Sequence, residues 1–217
     1  MATVMHCGSQ YGLQIRWTKV NYVPVCSEQS IRNPAGQLIP PKEAMMYRGS
    51  TIHGGGRYGC EISRKIGAAK EAFRFLHNIW KHGGISKQRK VQLFDALIIS
   101  KLQYATASAW LLKGELRRLD GFQAQCLRQI LKVPSPYISR ISNTTILQRC
   151  GAHKLSAHIQ QRQQQLLENA ISSPAKSQLR EVTFISASII ALTSRYTQRR
   201  GRPRQNWTDE CMKRRSP

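Results

Sequence analysis

Phosphoryl-transfer chemistry by the two-metal route needs carboxylates held close enough for two divalent ions to share one site. The sequence offers three aspartates, Asp95, Asp120 and Asp209, and no Asp-Asp pair. None sits in a strand-turn-strand context, and Asp95 and Asp120 fall in stretches of helical spacing. No polymerase or nuclease centre is expected, and the chain reads as a non-enzyme. Serines are many, but none lies in a G-x-S-x-G elbow, and the six histidines are dispersed. Cys150, His153 and His158 follow a C-x2-H-x4-H spacing, and Cys126 would supply a fourth ligand for tetrahedral zinc. The competing reading makes Cys126 a small core residue, as free cysteine commonly is. No metal and no other cofactor is expected.

What the chain has in quantity is positive charge. Lys and Arg number 34 against 11 Asp and Glu, a formal charge of +23 over 217 residues. Self-repulsion of that size opposes a compact state unless an anionic partner offsets it. Nucleic acid is the expected partner, with RNA favoured over DNA. An anionic membrane surface is the alternative, but no long basic helix ends in aromatic anchors. No apolar run is long enough to span a bilayer, so no membrane partner is expected. Between residues 121 and 208 the only acids are Glu168 and Glu181, against thirteen Lys and Arg. That gradient points to one side facing nucleic acid. Near the end, Arg199, Arg200, Gly201, Arg202, Pro203 and Arg204 contain R-G-R-P, which resembles the AT-hook of minor-groove DNA binders. There a glycine lets the backbone approach the groove floor while arginines enter a narrow groove of enhanced negative potential. General phosphate contact by the same arginines is the broader reading.

The elements that would carry these residues are helices. Ile62, Ile66, Ala69, Phe73, Leu76 and Trp80 recur at steps of three and four and share one face. Arg64, Lys65, Lys70 and Arg74 are expected on the other. Gly83-Gly84 stops this helix. Ser86 caps a second over residues 87–112, with Val91, Phe94, Ile98, Leu102, Ala105 and Ala109 inward. Lys113-Gly114 breaks it. A third covers residues 115–131, with Leu116, Leu119, Cys126 and Ile130 inward, and stops before Pro134. Ile66, Phe73, Leu97 and Ile130 are expected in one core. Ser142 caps a fourth helix, and residues 157–171 form a fifth with a glutamine-rich face. Residues 179–196 read equally as strand or buried helix. The tail after residue 198 reads as polar and mostly extended.

Residues 1–52 look β-rich. Leu13, Ile15 and Trp17 alternate as in a strand over residues 11–17, and residues 22–25 would pair with it. A turn at Asn33-Pro34-Ala35-Gly36 leads to a strand at Leu38-Ile39, and residues 45–52 are a further strand candidate. His53-Gly54-Gly55-Gly56-Arg57 reads as a hinge; a phosphate cradle there would lack its helix-opening lysine.

Three blocks at matching spacing, EISRKIGAAKEAFRFLHNIWK, KVQLFDALIISKLQYATASAW and LRRLDGFQAQCLRQIL, resemble the thumb of a LINE-type (non-LTR) retrotransposon reverse transcriptase. The likeness extends over about two thirds of the chain. YGLQIRWTKV is similar to the family's segment after the catalytic aspartates of the palm, with Arg16 and Val20 where the family has Asn and Thr or Ser. Lys19 then falls on a basic position near the incoming nucleotide's phosphates. YRGSTI is similar to the hairpin that holds the primer end, with Arg48 at an apolar position. GRPR followed by Trp207 and acids also stands where the family has it. The resemblance implies backbone binding of a duplex by helices bearing Arg64, Lys65, Lys70, Arg74, Arg117, Arg118, Arg128 and Lys132.

The expected fold is mainly α: a basic, thumb-like helical bundle preceded by a small β-rich palm remnant. The expected parts are residues 1–58 (palm remnant and hinge), 59–133 (three-helix bundle), 134–197 (further helices or irregular) and 198–217 (basic tail). The expected function is non-catalytic nucleic-acid binding, with recruitment into a ribonucleoprotein such as a ribosome. One alternative is a fragment of an active reverse transcriptase whose palm lies outside this chain. Another is an AT-hook-like DNA binder. Other proteins are expected to cover the β-rich part. The start, MATVMHCGSQYGL, shows no basic region followed by an apolar core, so no secretory leader is expected. Cys7, Cys26, Cys60, Cys126, Cys150 and Cys211 form no framework and read as free thiols of a reducing, intracellular compartment, nuclear or within a ribonucleoprotein-containing organelle. The sequons at Asn143 and Asn206 are then chance.

Overall fold

The computed structural model describes residues 2–24, 30–55, 58–184 and 207–215. The chain is mainly helical, with two small two-stranded sheets among the described residues. It divides into two compact units, Met1–Glu61 and Ile62–Pro217.

The first unit is less β-rich than its alternation suggests. Helix α1 covers Ala2–Ser9, and among the described residues 11–17 join no strand. Trp17–Lys19 is instead a single 3₁₀ turn. Three alternating residues fit a strand but do not create the partner that a strand needs. Tyr22 makes only an isolated parallel bridge, with Pro41. Strands β1 (Ile31–Arg32) and β2 (Leu38–Ile39) form a short antiparallel hairpin. Its turn is built by Asn33, whose Oδ1 accepts the Gln37 N–H at 2.8 Å, and by Gly36 at φ 81°. Residues 45–52 are not one strand but a second hairpin, β3 (Ala44–Tyr47) and β4 (Ser50–His53), with Tyr47 opposite Ser50. The two turn residues, Arg48 and Gly49, have φ 46° and 77°, the paired positive angles of a type I′ turn. Gly54 is no free hinge: its N–H donates to Glu43 O at 3.0 Å, and a Cβ there would lie 2.5 Å from Pro24 O.

The second unit is a helical bundle. Helix α2 (Gly59–Phe75) enters it with Ile62, Ile66, Ala69 and Phe73 buried, as their spacing requires. It does not run on to Trp80. The chain re-forms as α3 (His77–Lys81), which turns Trp80 inward onto Phe73. The two rings stack at 5.0 Å, Phe94 meets Phe73 edge-on at 5.9 Å, and the Trp80 indole donates to Phe73 O at 2.8 Å. Ser86 caps α4 (Lys87–Phe94) through the Arg89 N–H at 3.2 Å.

The second helix departs most from expectation. After Phe94 it widens into a π turn over Asp95–Ile99, resumes as α5 (Ser100–Gln103), and ends well short of residue 112. The inserted residue changes the phase of the face. Ile98, Ile99 and Leu102 are buried, but Leu97 is 41% exposed and leaves the expected core. Ala105, at φ 53°, is exposed rather than inward. Lys113 and Gly114 do not form a break; they begin α6 (Lys113–Leu131), whose Glu115 reaches back to accept the Leu112 N–H at 2.8 Å. Leu119, Phe122, Cys126, Leu127 and Ile130 line its inner side.

A single turn, α7 (Pro136–Ser139), leads to α8 (Asn143–Cys150), capped by Ser142 through the Thr145 N–H at 3.1 Å. Helix α9 (Leu155–Ser172) packs on α6 and buries Ile159 and Leu167. Its glutamine face is partly committed: Gln163 is buried, and its Nε2 donates to Ala109 O at 2.8 Å. Residues 178–183 settle as helix α10 (Gln178–Thr183), while residues 185–196 lie outside the described part. The tail is not all extended. Residues 207–215 form α11 (Trp207–Arg215), which buries Cys211 against Leu167, Ala170 and Phe184. The Trp207 indole donates to Ala107 O at 2.9 Å.

Candidate nucleic-acid interface

Helical spacing decides which cations on α2 face out. Arg64, Lys70 and Arg74 are exposed. Lys65 is one step round, on the same side as Ile62 and Ile66, and only 5% exposed. Its ammonium donates to Tyr104 O and lies 5.8 Å from the centre of the Tyr104 ring. A buried ammonium needs acceptors more than it needs water, so Lys65 is a structural anchor and not a surface contact.

The same sorting applies on α6. Arg117 and Arg118 are exposed on its first turns, and Lys132 is exposed just past its end. Arg118 Nη2 donates to Ser63 Oγ at 2.9 Å, which brings the α6 arginines beside the start of α2. Arg128 is 5% exposed and is withdrawn from the surface. Its guanidinium donates to Pro134 O at 2.9 Å, Ile141 O at 2.5 Å, Ser139 Oγ at 3.3 Å and, through two nitrogens, Asn143 Oδ1 at 2.9 and 3.1 Å. One fork of donors thus ties the loop after α6 to the start of α8. Lys90 is a third buried cation. Its ammonium donates to Trp80 O at 2.8 Å and His82 O at 2.7 Å, at the negative end of α3. A lysine in a basic helix gives no sequence sign of this role.

What remains outward is a set of six: Arg64, Lys70, Arg74, Arg117, Arg118 and Lys132. Lys70, Arg74, Arg117 and Lys132 make no ion pair among the described residues. Lys19 is exposed on the 3₁₀ turn of the first unit. Arg199, Arg200, Arg202 and Arg204, and with them the R-G-R-P motif, lie outside the described residues.

The zinc set does not assemble. No group of three or more His, Cys, Asp or Glu side chains among the described residues is placed to share a metal ion. Cys126 faces the core, where burial pushes its thiol up to about 12 against an ordinary 9.0, with the charge of Lys70 acting weakly the other way. Cys150 is half-buried, and its thiol is raised by desolvation and then by the negative charge of Asp95. Asp95 is itself pushed up by partial burial, with His158 pulling it back. Asp120 is committed to structure: its two oxygens accept the Ser156 N–H at 2.8 Å and hydroxyl at 2.7 Å. Cys7, Cys60, Cys126, Cys150 and Cys211 are free thiols, and Cys26 is outside the described residues.

Among the described residues no helix is long and apolar enough to cross a membrane. No family model, curated protein or solved structure matches this chain.

Proposed function

We propose that this chain binds nucleic acid without catalysis, that RNA is its partner, and that it is the thumb-like part of a LINE-type reverse transcriptase serving as a structural component of a ribonucleoprotein. The first unit is then the palm remnant. The observation that carries the reading is the sorting of cations in the second unit. Arg64, Lys70, Arg74, Arg117, Arg118 and Lys132 stay at the surface while Lys65, Lys90 and Arg128 are used inside. Cations in so large an excess over acids oppose the compact state by repulsion until an anion meets them. A polyanion with evenly spaced phosphates suits helices that present charge but few base-reading groups.

The test is competition for the full chain between structured RNA, GC-rich duplex DNA and AT-rich duplex DNA at one salt concentration. RNA is expected to compete best. A second chain with Arg199, Arg200, Arg202 and Arg204 changed to alanine should lose affinity for all three alike. Loss confined to AT-rich duplex would replace this reading with the AT-hook one. Deleting residues 198–217 is the wrong comparison, because it also removes the docked helix α11.

A further inference from the structure

The π turn opens a different kind of surface. Two adjoining hollows share Ser100, Gln103 and His158 as walls and measure about 270 and 620 Å³. The smaller is lined by apolar Ile99 and Leu155 together with polar Asp95 and His153. The larger carries Tyr104 and Arg162. Apolar side chains mixed with hydrogen-bonding ones fit a flat heterocycle with a polar rim. An aromatic ring and a guanidinium in the adjoining hollow fit stacking and a phosphate.

Tyr104 is 55% exposed, and its place is fixed by its neighbours. Lys65 holds its carbonyl and sits against the ring, while Ala105 at φ 53° turns the chain sharply after it. Helix α5 ends at this point: the Tyr104 N–H closes on Ser100 O at 3.1 Å. The Ser100 hydroxyl is spent on Ala96 O at 2.6 Å, so it presents lone pairs to the hollow. Gln123 contributes wall only, since its amide is used on both sides, by His153 O and the Leu155 N–H. The groups left to meet a ligand edge are Asp95, Gln103, His153 and His158. A π turn inside a regular helix costs hydrogen-bond geometry and is frequent at functional sites. Here it also places Asp95 and Ile99 in the same hollow.

The geometry points to a pocket for one unpaired RNA base, stacked on Tyr104 and held by its edge in the hollow between the π turn and α9. The assignment rests on RNA being the partner and adds what form of RNA is selected. Backbone contacts by the six outward cations are indifferent to pairing. A base can enter this hollow only when it is splayed from its helix, in a bulge, a loop or a single strand.

The experiment uses the full chain and two RNA hairpins identical except for one unpaired nucleotide in the stem. The bulged hairpin should bind about 5- to 150-fold more tightly, the span of a single base–aromatic stack. Tyr104→Ala and, separately, His158→Ala should abolish that difference while leaving affinity for the perfect stem. Tyr104→Phe keeps the ring and should restore it. Both removed side chains are exposed, and circular dichroism checks that each variant folds. Equal binding of the two hairpins by the unaltered chain overturns the pocket. So does a bulge preference that survives both alanine variants. Failure of the unaltered chain to bind either hairpin would instead remove the RNA reading beneath it.

Discussion

Arg128→Ala separates a structural arginine from a nucleic-acid contact. Arg128 satisfies two backbone carbonyls, one amide oxygen and one hydroxyl between α6 and α8. Alanine leaves those acceptors in place without their donor, at about 1 kcal/mol or more for each that stays buried. Relief from desolvating the guanidinium offsets part of that cost. A net loss of about 2–4 kcal/mol follows, or about 5–15 °C in melting temperature for a domain of this size. Arg128→Lys should recover little, since one ammonium cannot span acceptors placed for a planar fork. Arg117→Ala is the control: an exposed side chain whose removal should change stability by less than about 0.5 kcal/mol. Thermal melts of the three variants, with RNA affinity measured on each below its transition, decide the matter. If Arg128→Ala melts with the unaltered chain yet binds RNA more weakly, the burial argument is wrong and Arg128 belongs to the interface.

Three further perturbations read the fold. Phe73→Ala removes the ring between Trp80 and Phe94 and should cost about 3–5 kcal/mol, whereas Leu97→Ala on the outer side of the π turn should cost less than about 1 kcal/mol; denaturant melts that rank them the other way would contradict the π-turn register. Gly121 sits exposed within α6, where an added Cβ meets nothing, so Gly121→Ala should stabilise by about 0.5–1 kcal/mol in the same melts. The Cys126 thiol is raised from 9.0 to about 12 in the folded chain, so the unfolded state loses its proton first as pH rises. That contribution to stability is whole below pH 9, declines above it, and is lost by about pH 12. At pH 8, thiol alkylation read by mass spectrometry should label Cys7 and Cys60 and spare Cys126 until the protein is unfolded.

The helix faces of the second unit were legible where periodicity and caps agreed. The spacing of Ile62, Ile66, Ala69 and Phe73, and the caps at Ser86 and Ser142, each fix a local geometry that tertiary contacts then leave alone. Lys65 and Arg128 are buried although their charge marks them for the surface. Each lies next to an apolar inward position, and only the fold supplies the carbonyls that keep it there. The π turn had no local signal, and it moved Leu97 outward while opening the hollow at Asp95 and His158. Helix α11 did leave one: Asp209 and Glu210 in the first turn and Lys213 to Arg215 in the last match the helix dipole at both ends. In the first unit, alternation over residues 11–17 was too short to imply a partner strand.

The most direct measurement of the central claim is the salt dependence of binding to structured RNA, by the full chain and by a variant in which Arg64, Lys70, Arg74, Arg117, Arg118 and Lys132 are all alanine. Six phosphate contacts predict a log–log slope of about −4 to −5 and a loss of about 10³-fold in affinity between 50 and 200 mM salt. Losing those contacts should flatten the slope by about 0.7–0.9 for each cation removed. A slope near zero for the unaltered chain, or the same steep slope in the six-alanine variant, would contradict the assignment of this face as the one that meets nucleic acid.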